Sequence, residues 1–331
     1  QAGEETIKKT FFSRQKEGIL VSFAIQLFTI PLVAYSYYEI PVYAMLINLF
    51  VLAVVNELLG LTVLGVIVGM AFLPAGRVLF APCGWMLDSY RFLCEVSLKI
   101  PGAQRITGKP AHMRIFWYYL GLGVFLLAIY ACARRNEKHK DCRETADLCV
   151  SRRKKRLQGI VFSCFIAFLL LFLLFPQKKS FEIDFLDVGQ GDGIYLCTGG
   201  GTSMFIDGGS TDVKQVGKYR ILPFLKAKGV SEISYWFVSH TDTDHVSGLK
   251  EVLVSGYRVE YLVFAKAVEK EAKTKELAEL ARSHGTKVLY MQAGDTVRSK
   301  RAAMRCLYPK ASDKAEDVND LCLVLQFEEG D

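Results

Sequence analysis

The chain has 331 residues, enough for about two domains with substantial hydrophobic cores. Hydrophobic residues make up 51% and charged residues 23% of it, a composition that excludes an intrinsically disordered chain. The net charge of +7 is uneven, because residues 1–176 carry 20 Lys and Arg against 11 Asp and Glu, whereas residues 177–331 carry 21 against 23. Nine cysteines are scattered without a CxxC pair, so neither a disulfide framework nor a cysteine-based zinc site is indicated.

Five apolar stretches in the first half are nearly free of charge and long enough to cross the hydrocarbon core of a bilayer. They are residues 19–38, 40–56, 58–76, 115–133 and 159–176. Only Glu57 separates the second stretch from the third, so residues 40–76 form either two crossings, a re-entrant hairpin or one broken long helix. The sequence therefore predicts a membrane domain of about five transmembrane helices over residues 1–176.

The Lys and Arg residues of the short loops predict the orientation of these helices. Residues 134–156 carry ten Lys and Arg against four acidic residues, and the N-terminal segment carries Lys8, Lys9, Arg14 and Lys16. With five crossings, both basic segments lie on the cytoplasmic side and everything after Pro176 lies outside. Residues 81–114 then form an outer segment that contains either an amphipathic helix in the membrane interface or a packed extracellular helix.

Three polar residues interrupt the apolar sequence between residues 40 and 58. Asn48, Asn56 and Glu57 are costly to expose to lipid, so we expect them to face a bundle interior or a water-filled path. They are candidate channel-lining residues, and the alternative is that they only hold neighbouring helices together.

After Pro176 the pattern changes to short apolar runs separated by glycine turns and alternating with helical segments. Strands are predicted near residues 181–188, 193–198, 203–207, 233–239, 259–264, 287–291, 303–308 and 321–327. Helices are predicted near residues 214–228, before Gly256, and over 268–284. This alternation indicates a layered α/β domain over residues 177–331.

Potential metal ligands are concentrated in the segment SHTDTDH, residues 239–245, directly after an apolar strand. His240, Asp242 and Asp244 leave the end of the strand and His245 approaches from the next helix, so the four side chains can converge on one point. Two imidazoles and two carboxylates suit zinc or manganese. The alternative is a capped helix start, with Thr243 or Asp244 as the cap and Asp242 in a turn, but capping explains neither histidine.

The segment resembles the HxHxDH signature of the metallo-β-lactamase fold, with Asp242 in place of the middle histidine. Together with FLDVGQGD at residues 185–192 and FIDGG at 205–209, it resembles the C-terminal domain of the ComEC-type DNA-internalisation competence proteins, in which this aspartate is the usual form. Residues 26–48, with Pro31, resemble the end of that family's helix bundle. The resemblance implies a multi-pass α-helical membrane bundle followed by a partial αββα, metallo-β-lactamase-like domain.

The resemblance also implies a function in natural transformation. It implies a channel of the bacterial cytoplasmic membrane that imports one DNA strand, with an outward-facing metal-dependent nuclease-like domain that degrades the other, and further DNA-uptake components as partners. Of two divalent ions, Zn or Mn, His240 and Asp242 would bind one, and Asp244 and His245 the second, with Asp244 as the catalytic carboxylate. The acidic residues expected to flank the site and support its turns are Asp187, Asp192 and Asp207.

The chain departs from the family pattern in its second half. The fold needs further ligands from a Gly-Asp turn and a His-His-Gly type loop, and we interpret Gly330-Asp331 as a hairpin turn and His284 as a surface residue. The family's N-terminal domain is also missing, which indicates the middle part of a longer protein. We therefore expect phosphodiesterase activity in the parent protein and none in this chain; the alternative is a DNA channel whose outer domain has no catalysis.

Overall fold

The computed structural model describes residues 2–138, 148–175, 179–299, 302–315 and 318–330. The chain divides into two compact units, Gln1–Phe175 and Pro176–Asp331. The first unit is helical and the second is a layered α/β unit, and this succession confirms the predicted fold class.

The described part of the first unit contains long helices and one short two-stranded ribbon. In chain order its elements are α1 (Ala2–Tyr37), β1 (Glu39–Pro41), α2 (Ala44–Ala71), α3 (Leu73–Leu98), β2 (Gln104–Ile106), α4 (His112–Lys138) and α5 (Leu148–Leu174). Strands β1 and β2 pair antiparallel. The ribbon therefore gathers the C-terminal ends of α1 and α3 and the N-terminal ends of α2 and α4 at one place.

Helix α2 runs without interruption past Glu57, which corrects the interpretation of residues 40–76 as two crossings divided there. A single carboxylate leaves the backbone hydrogen bonds of a helix intact, and Glu57 is exposed on the helix surface. The break lies at Phe72, just before Pro74, because proline can begin a helix but has no N–H with which to continue one. A Cβ atom on Gly76 would lie 2.5 Å from the Cα atom of Gly69, so α2 and α3 form a hairpin with their backbones in direct contact.

Three helical stretches in the described residues are long and apolar enough to cross a membrane, judged by length and composition. They are Gly18–Tyr37, Val54–Ala71 and His112–Cys132, and a shorter apolar stretch, Gly159–Leu174, lies in α5. These features indicate a membrane protein. Among the candidate channel residues, Asn48 is half-buried and Asn56 is exposed; residues 139–147 of the predicted basic loop lie outside the described residues.

A proline inside α1 explains one contact between α1 and α4. Pro31 cannot donate to the carbonyl oxygen of Leu27, four residues earlier, which leaves that oxygen without its helical partner. The hydroxyl of Tyr118, which is fully buried, donates to this oxygen at 2.8 Å. Tyr119 donates to the next carbonyl, that of Phe28, at 2.8 Å. The paired tyrosines of α4 therefore hydrogen-bond the turn of α1 that precedes Pro31, and such pairing of backbone carbonyls is what a chain surrounded by hydrocarbon requires.

The second unit is built on a six-stranded sheet with strands in chain order. The strands are β3 (Glu182–Phe185), β4 (Gly193–Cys197), β5 (Ser203–Asp207), β6 (Glu232–Phe237), β7 (Arg258–Ala265) and β8 (Lys287–Met291). The first three pair antiparallel, and β5 to β8 run parallel. The parallel connections contain a π-helix (Gly217–Ile221) that continues into α6 (Leu222–Ala227), then α7 (Thr243–Val254), and α8 (Ala272–Ser283).

The six-stranded sheet is covered on both faces. Helical residues such as Leu225, Leu249 and Leu277 pack against Trp236 on one face. On the other face lies a second sheet in the order β11–β10–β9, formed by β9 (Thr296–Arg298), β10 (Ala302–Tyr308) and β11 (Val324–Glu329), with Met304 in the shared core. Burial on both faces explains why the central strands are apolar runs rather than alternating sequences. The predicted strand 321–327 begins three residues before β11, because Leu321 still belongs to a 3-10 helix, Val318–Leu321, and β9 was not predicted.

Candidate metal centre

The site lies where β5 and β6 end and α7 begins. His240 follows the end of β6 by three residues, and Asp244 and His245 stand in the first turn of α7. Asp207 is the last residue of β5, the parallel neighbour of β6. The carboxyl ends of adjacent parallel strands open at one edge of a sheet, where α/β proteins place their ligands, so this topology brings distant acidic residues to the histidines.

His240, Asp244 and His245 form a compact group of potential ligands. Each offers one ligand atom, and these atoms lie within 4.8 Å of one another. Nε2 of His245 lies 3.6 Å from Oδ2 of Asp244, and the two imidazole rings are 3.7 Å apart between centroids. The His245 side chain is only 12% exposed, whereas Asp244 is 36% exposed. The group is thus anchored in the protein on one side and open to solvent on the other.

Asp207 orients His245 from behind. Its side chain is only 6% exposed, and its Oδ2 lies 3.0 Å from Nδ1 of His245. The same carboxylate accepts the backbone N–H of Ser239 at 2.8 Å and the hydroxyl of Ser239 at 2.7 Å. Asp207 was predicted to support a turn beside the site; the geometry gives it direct contact with one of the two histidines.

Ser239 extends this contact to His240. A hydroxyl has one proton, and Ser239 gives its proton to Asp207, so its oxygen can only accept a hydrogen bond from the imidazole of His240, whose Nδ1 lies 3.0 Å away. Both histidines then carry their proton on Nδ1, which leaves the lone pair of each Nε2 available. This assignment of tautomers follows from the hydrogen-bond network and suits a pair of metal ligands.

The two histidines have pKa values shifted in opposite directions. Burial and the neighbouring charge of His245 lower the pKa of His240. Burial acts in the same direction on His245, but the hydrogen bond and negative charge of Asp207 more than offset it, so the pKa of His245 is raised. At mildly acidic pH the first proton taken up by the pair therefore goes to His245.

The donor set fits a divalent ion. Bonds of about 2.0–2.2 Å at a tetrahedral angle place two nitrogen or oxygen ligands about 3.4 Å apart. The 3.6 Å between His245 Nε2 and Asp244 Oδ2 is close to that spacing, and neither atom has a stronger partner among the described contacts. Two imidazoles and one carboxylate could hold zinc, manganese or a similar ion.

A second acidic group, Asp192, Asp207 and His245, also has ligand atoms within 4.8 Å of one another. Here, however, the His245 atom is Nδ1, which lies 3.0 Å from Asp207 and 3.8 Å from Asp192. Nδ1 carries the proton that Asp207 accepts, so it has no lone pair to give to a metal ion. This group therefore orients the imidazole of His245. Asp192, with a 64% exposed side chain, is the one carboxylate of the group without a hydrogen bond to Ser239.

Two predicted site residues, Asp242 and Asp187, lie apart from both groups. Asp242 occupies the N-cap position of α7 without making a side-chain cap, and its Oδ1 lies 2.8 Å from Nζ of Lys273 on α8. This ion pair lowers the pKa of Asp242. Asp187 pairs instead with Arg220 at 3.1 Å on the surface. His284, which was interpreted as a surface residue, is exposed at the end of α8.

Close backbone packing beside the ligands requires glycine. A Cβ atom on Gly209 would lie 2.3 Å from the carbonyl carbon of Asp244 and 2.4 Å from the nitrogen of His245. The next loop approaches equally closely, because a Cβ on Gly191 would lie 2.3 Å from the carbonyl oxygen of Gly209. Gly191 and Gly209 thus allow their two loops to pack directly against the first turn of α7.

The segment that leads into β11 contributes two residues that were not predicted, Cys322 and Leu323. Sγ of Cys322 lies 3.4 Å from Nδ1 of His240, and the backbone N–H of Leu323 donates to the carbonyl oxygen of Ser239. Leu321 and Leu323 are buried in the core between the sheets.

Comparisons with known proteins agree with the features of both units. Residues 3–131 match the family model described as "Competence protein". The chain is 25% identical over 325 residues to ComE operon protein 3 of Bacillus subtilis, an alignment that covers 94% of this chain and 39% of that protein. It is 31% identical over 106 residues to Recombination protein 2 of Haemophilus influenzae, which covers 31% of this chain and 13% of the relative.

These matches support a ComEC-type protein. The chain spans about two fifths of the length of ComE operon protein 3 and a smaller share of Recombination protein 2. Among solved structures, the metallo-beta-lactamase fold protein YhfI from Bacillus subtilis matches with a TM-score of 0.30 and 12% identity, over 42% of this chain and 51% of that one.

Proposed function

We propose that this ComEC-type chain belongs to a protein of the bacterial cytoplasmic membrane that takes up DNA in natural transformation. The matches to a competence family and to ComE operon protein 3 support the process. The single observation that supports chemistry in the second unit is the convergence of His240, Asp244 and His245 within 4.8 Å. We assign this group a divalent metal ion, either zinc or manganese, and the hydrolysis of a phosphodiester bond in the complete protein.

A divalent ion bound there would supply Lewis-acid stabilisation of phosphate charge and a water molecule of lowered pKa. The chain's own residues prepare the site for it. Asp207 holds the proton of His245 on Nδ1, and Ser239 does the same for His240, so that the lone pair of each Nε2 is available to an ion. Asp244, which is more exposed than the Asp207 carboxylate that orients His245, is placed to bind the ion and to orient a nucleophile.

The connectivity of the first unit supports an extracytoplasmic second unit. The hairpin of α2 and α3 begins and ends at the β1–β2 ribbon, so it returns the chain to the same side whether or not it spans the bilayer. Crossings by α1, α4 and α5 then leave the N-terminus and the α4–α5 connection on one side and the chain after α5 on the other. Both of the former segments are rich in Lys and Arg, which favours the cytoplasm.

Labelling of single cysteines tests this topology. Cys197 and Cys306 are buried and unsuited to the purpose. In a background without exposed native cysteines, we expect Lys270→Cys in the second unit to react with a membrane-impermeant maleimide in intact cells. Arg134→Cys, at the end of α4, should react only after permeabilisation. The reverse pattern would contradict the proposed orientation.

The catalytic proposal is tested on the complete protein purified in detergent. We expect cleavage of single-stranded DNA that depends on added Zn²⁺ or Mn²⁺ and is lost in His245→Ala. His284→Ala removes an exposed histidine outside the ligand group and is the matched control, which should retain activity. Equal activity in both variants would refute the assignment of the site.

A second candidate function is DNA transport without catalysis in the second unit. The Asp242–Lys273 ion pair favours this function, because Asp242, one of the expected metal ligands, is paired with a lysine. The cleavage assay separates the two functions: a transport protein supports transformation in its host but cleaves no DNA with any divalent ion.

A further inference from the structure

The position of Asp242 differs from that of its neighbours in the motif. His240, Asp244 and His245 converge, whereas the carboxylate of Asp242 is turned toward α8 and contacts Nζ of Lys273 at 2.8 Å. Asp242 lies within two residues of His240 and Asp244 along the chain, so only the direction of its side chain keeps it out of the ligand group. Lys273 on α8 is the charged partner of this carboxylate, which also accepts a side-chain hydrogen bond from Asn319.

Lys273 supplies the kind of charge that a metal ion would otherwise supply to Asp242. An ammonium group and a divalent cation are alternative partners for one carboxylate oxygen, and both cannot occupy the same lone pair. We propose that Lys273 is an internal competitor of the metal ion, which keeps Asp242 out of the centre until the ion pair opens. This inference rests on the proposed metal centre and concerns how many of the motif's ligands the chain offers to an ion.

The exposure of the pair indicates that it can exchange. Lys273 has a 69% exposed side chain and Asp242 a 44% exposed one, so water screens their attraction and no buried charge is left behind when they separate. Exposed pairs of this kind alter an equilibrium by no more than about fivefold. The Lys273–Asp242 ion pair therefore lowers ion affinity by a small factor and does not abolish binding.

The chain offers a matched control between the same two helices. Lys250 on α7 pairs with Glu276 on α8 at 3.2 Å, and both side chains are exposed. Neither residue belongs to the ligand group. Lys250→Met removes the same charge and the same kind of inter-helix pair, so it reports the general effect of losing a cation near α7.

Calorimetric titration of the full chain in detergent with Mn²⁺ tests the inference through binding, without reference to activity. We expect Lys273→Met to bind Mn²⁺ about two- to fivefold more tightly than wild type, and Lys250→Met to bind as wild type. Asp242→Asn should change the affinity little in the wild-type background, because Asp242 is held by Lys273. In the Lys273→Met background, Asp242→Asn should return the Mn²⁺ affinity to the wild-type level.

Two results would overturn the inference. If Asp242→Asn weakened Mn²⁺ binding equally in wild type and in Lys273→Met, Asp242 would bind the ion with Lys273 present. The metal centre would then be supported and the competition by Lys273 refuted. Absence of Mn²⁺ binding in all variants, including wild type, would overturn the proposed metal centre and the competition together. The two failures are therefore distinguishable by whether wild type binds the ion.

Discussion

Replacing Tyr118 by Phe removes one hydroxyl and keeps the buried ring. The carbonyl oxygen of Leu27 then has no donor, because the residue four positions later is Pro31. Tyr118 is fully buried and Leu27 is 8% exposed, so water does not replace the lost partner. A buried unsatisfied carbonyl costs about 1–3 kcal/mol, and hydrogen bonds between membrane helices contribute about 0.6–1.7 kcal/mol. We therefore expect a loss of about 1–2 kcal/mol in the free energy of unfolding.

The proline makes the prediction testable by a double-mutant cycle. In Pro31→Ala the new N–H can donate to Leu27, so the Tyr118 hydroxyl becomes dispensable and Tyr118→Phe should cost less than about 0.5 kcal/mol in that background. Tyr119→Phe is the control: Phe28 has the N–H of Leu32 four residues later, so we expect a smaller loss than for Tyr118→Phe.

Unfolding in mixed detergent–SDS micelles, followed by far-ultraviolet circular dichroism, measures these differences, since most of the helix belongs to the first unit. An equal cost of Tyr118→Phe with and without Pro31 would refute the reasoning. The same conclusion would follow if Tyr119→Phe were as destabilising as Tyr118→Phe.

The remaining predictions concern the second unit. Asp207→Asn places an amide where Ser239 and His245 donate, and we expect about 10- to 100-fold weaker Zn²⁺ binding by calorimetry; unchanged affinity would contradict the orienting role. The pKa of His245 is raised, and a metal ion must displace the proton of the charged imidazole, so metal affinity should rise with pH through that pKa. Asp207→Asn should move the midpoint of this rise to lower pH. Movement to higher pH would refute the assignment of the raised pKa to Asp207. Gly209→Ala forces a Cβ against the backbone of Asp244 and should destabilise the unit by about 1–3 kcal/mol in thermal unfolding, whereas Gly199→Ala meets only the flexible end of Glu329.

Patterns of local sequence were sufficient to predict most of the elements. The strands predicted at residues 203–207 and 287–291 agree with β5 and β8, because short apolar runs bounded by turn residues are typical of strands. The boundary between two helices in the apolar stretch 40–76 was misplaced at Glu57. A charge raises the cost of exposing a residue to lipid, but the continuity of a helix depends on its backbone hydrogen bonds. Pro74 was the relevant signal.

The ligand group could be predicted only in part. His240, Asp244 and His245 are close in sequence, so the strand and helix on either side of them were enough to bring them together. The carboxylate of Asp242 contacts Lys273, 31 residues later, and also Asn319. The contact of Cys322 with His240 depends on the packing of the second sheet. Contacts between elements so distant in the chain leave no periodic signal in a single sequence.

Titration of the full chain in detergent with Co²⁺ tests most directly whether His240, Asp244 and His245 hold a divalent ion. The account predicts visible absorption of a four- or five-coordinate cobalt complex with wild type and His284→Ala, competed away by Zn²⁺, and its loss in His245→Ala. Absence of such absorption in wild type, or its persistence in His245→Ala, would contradict the account.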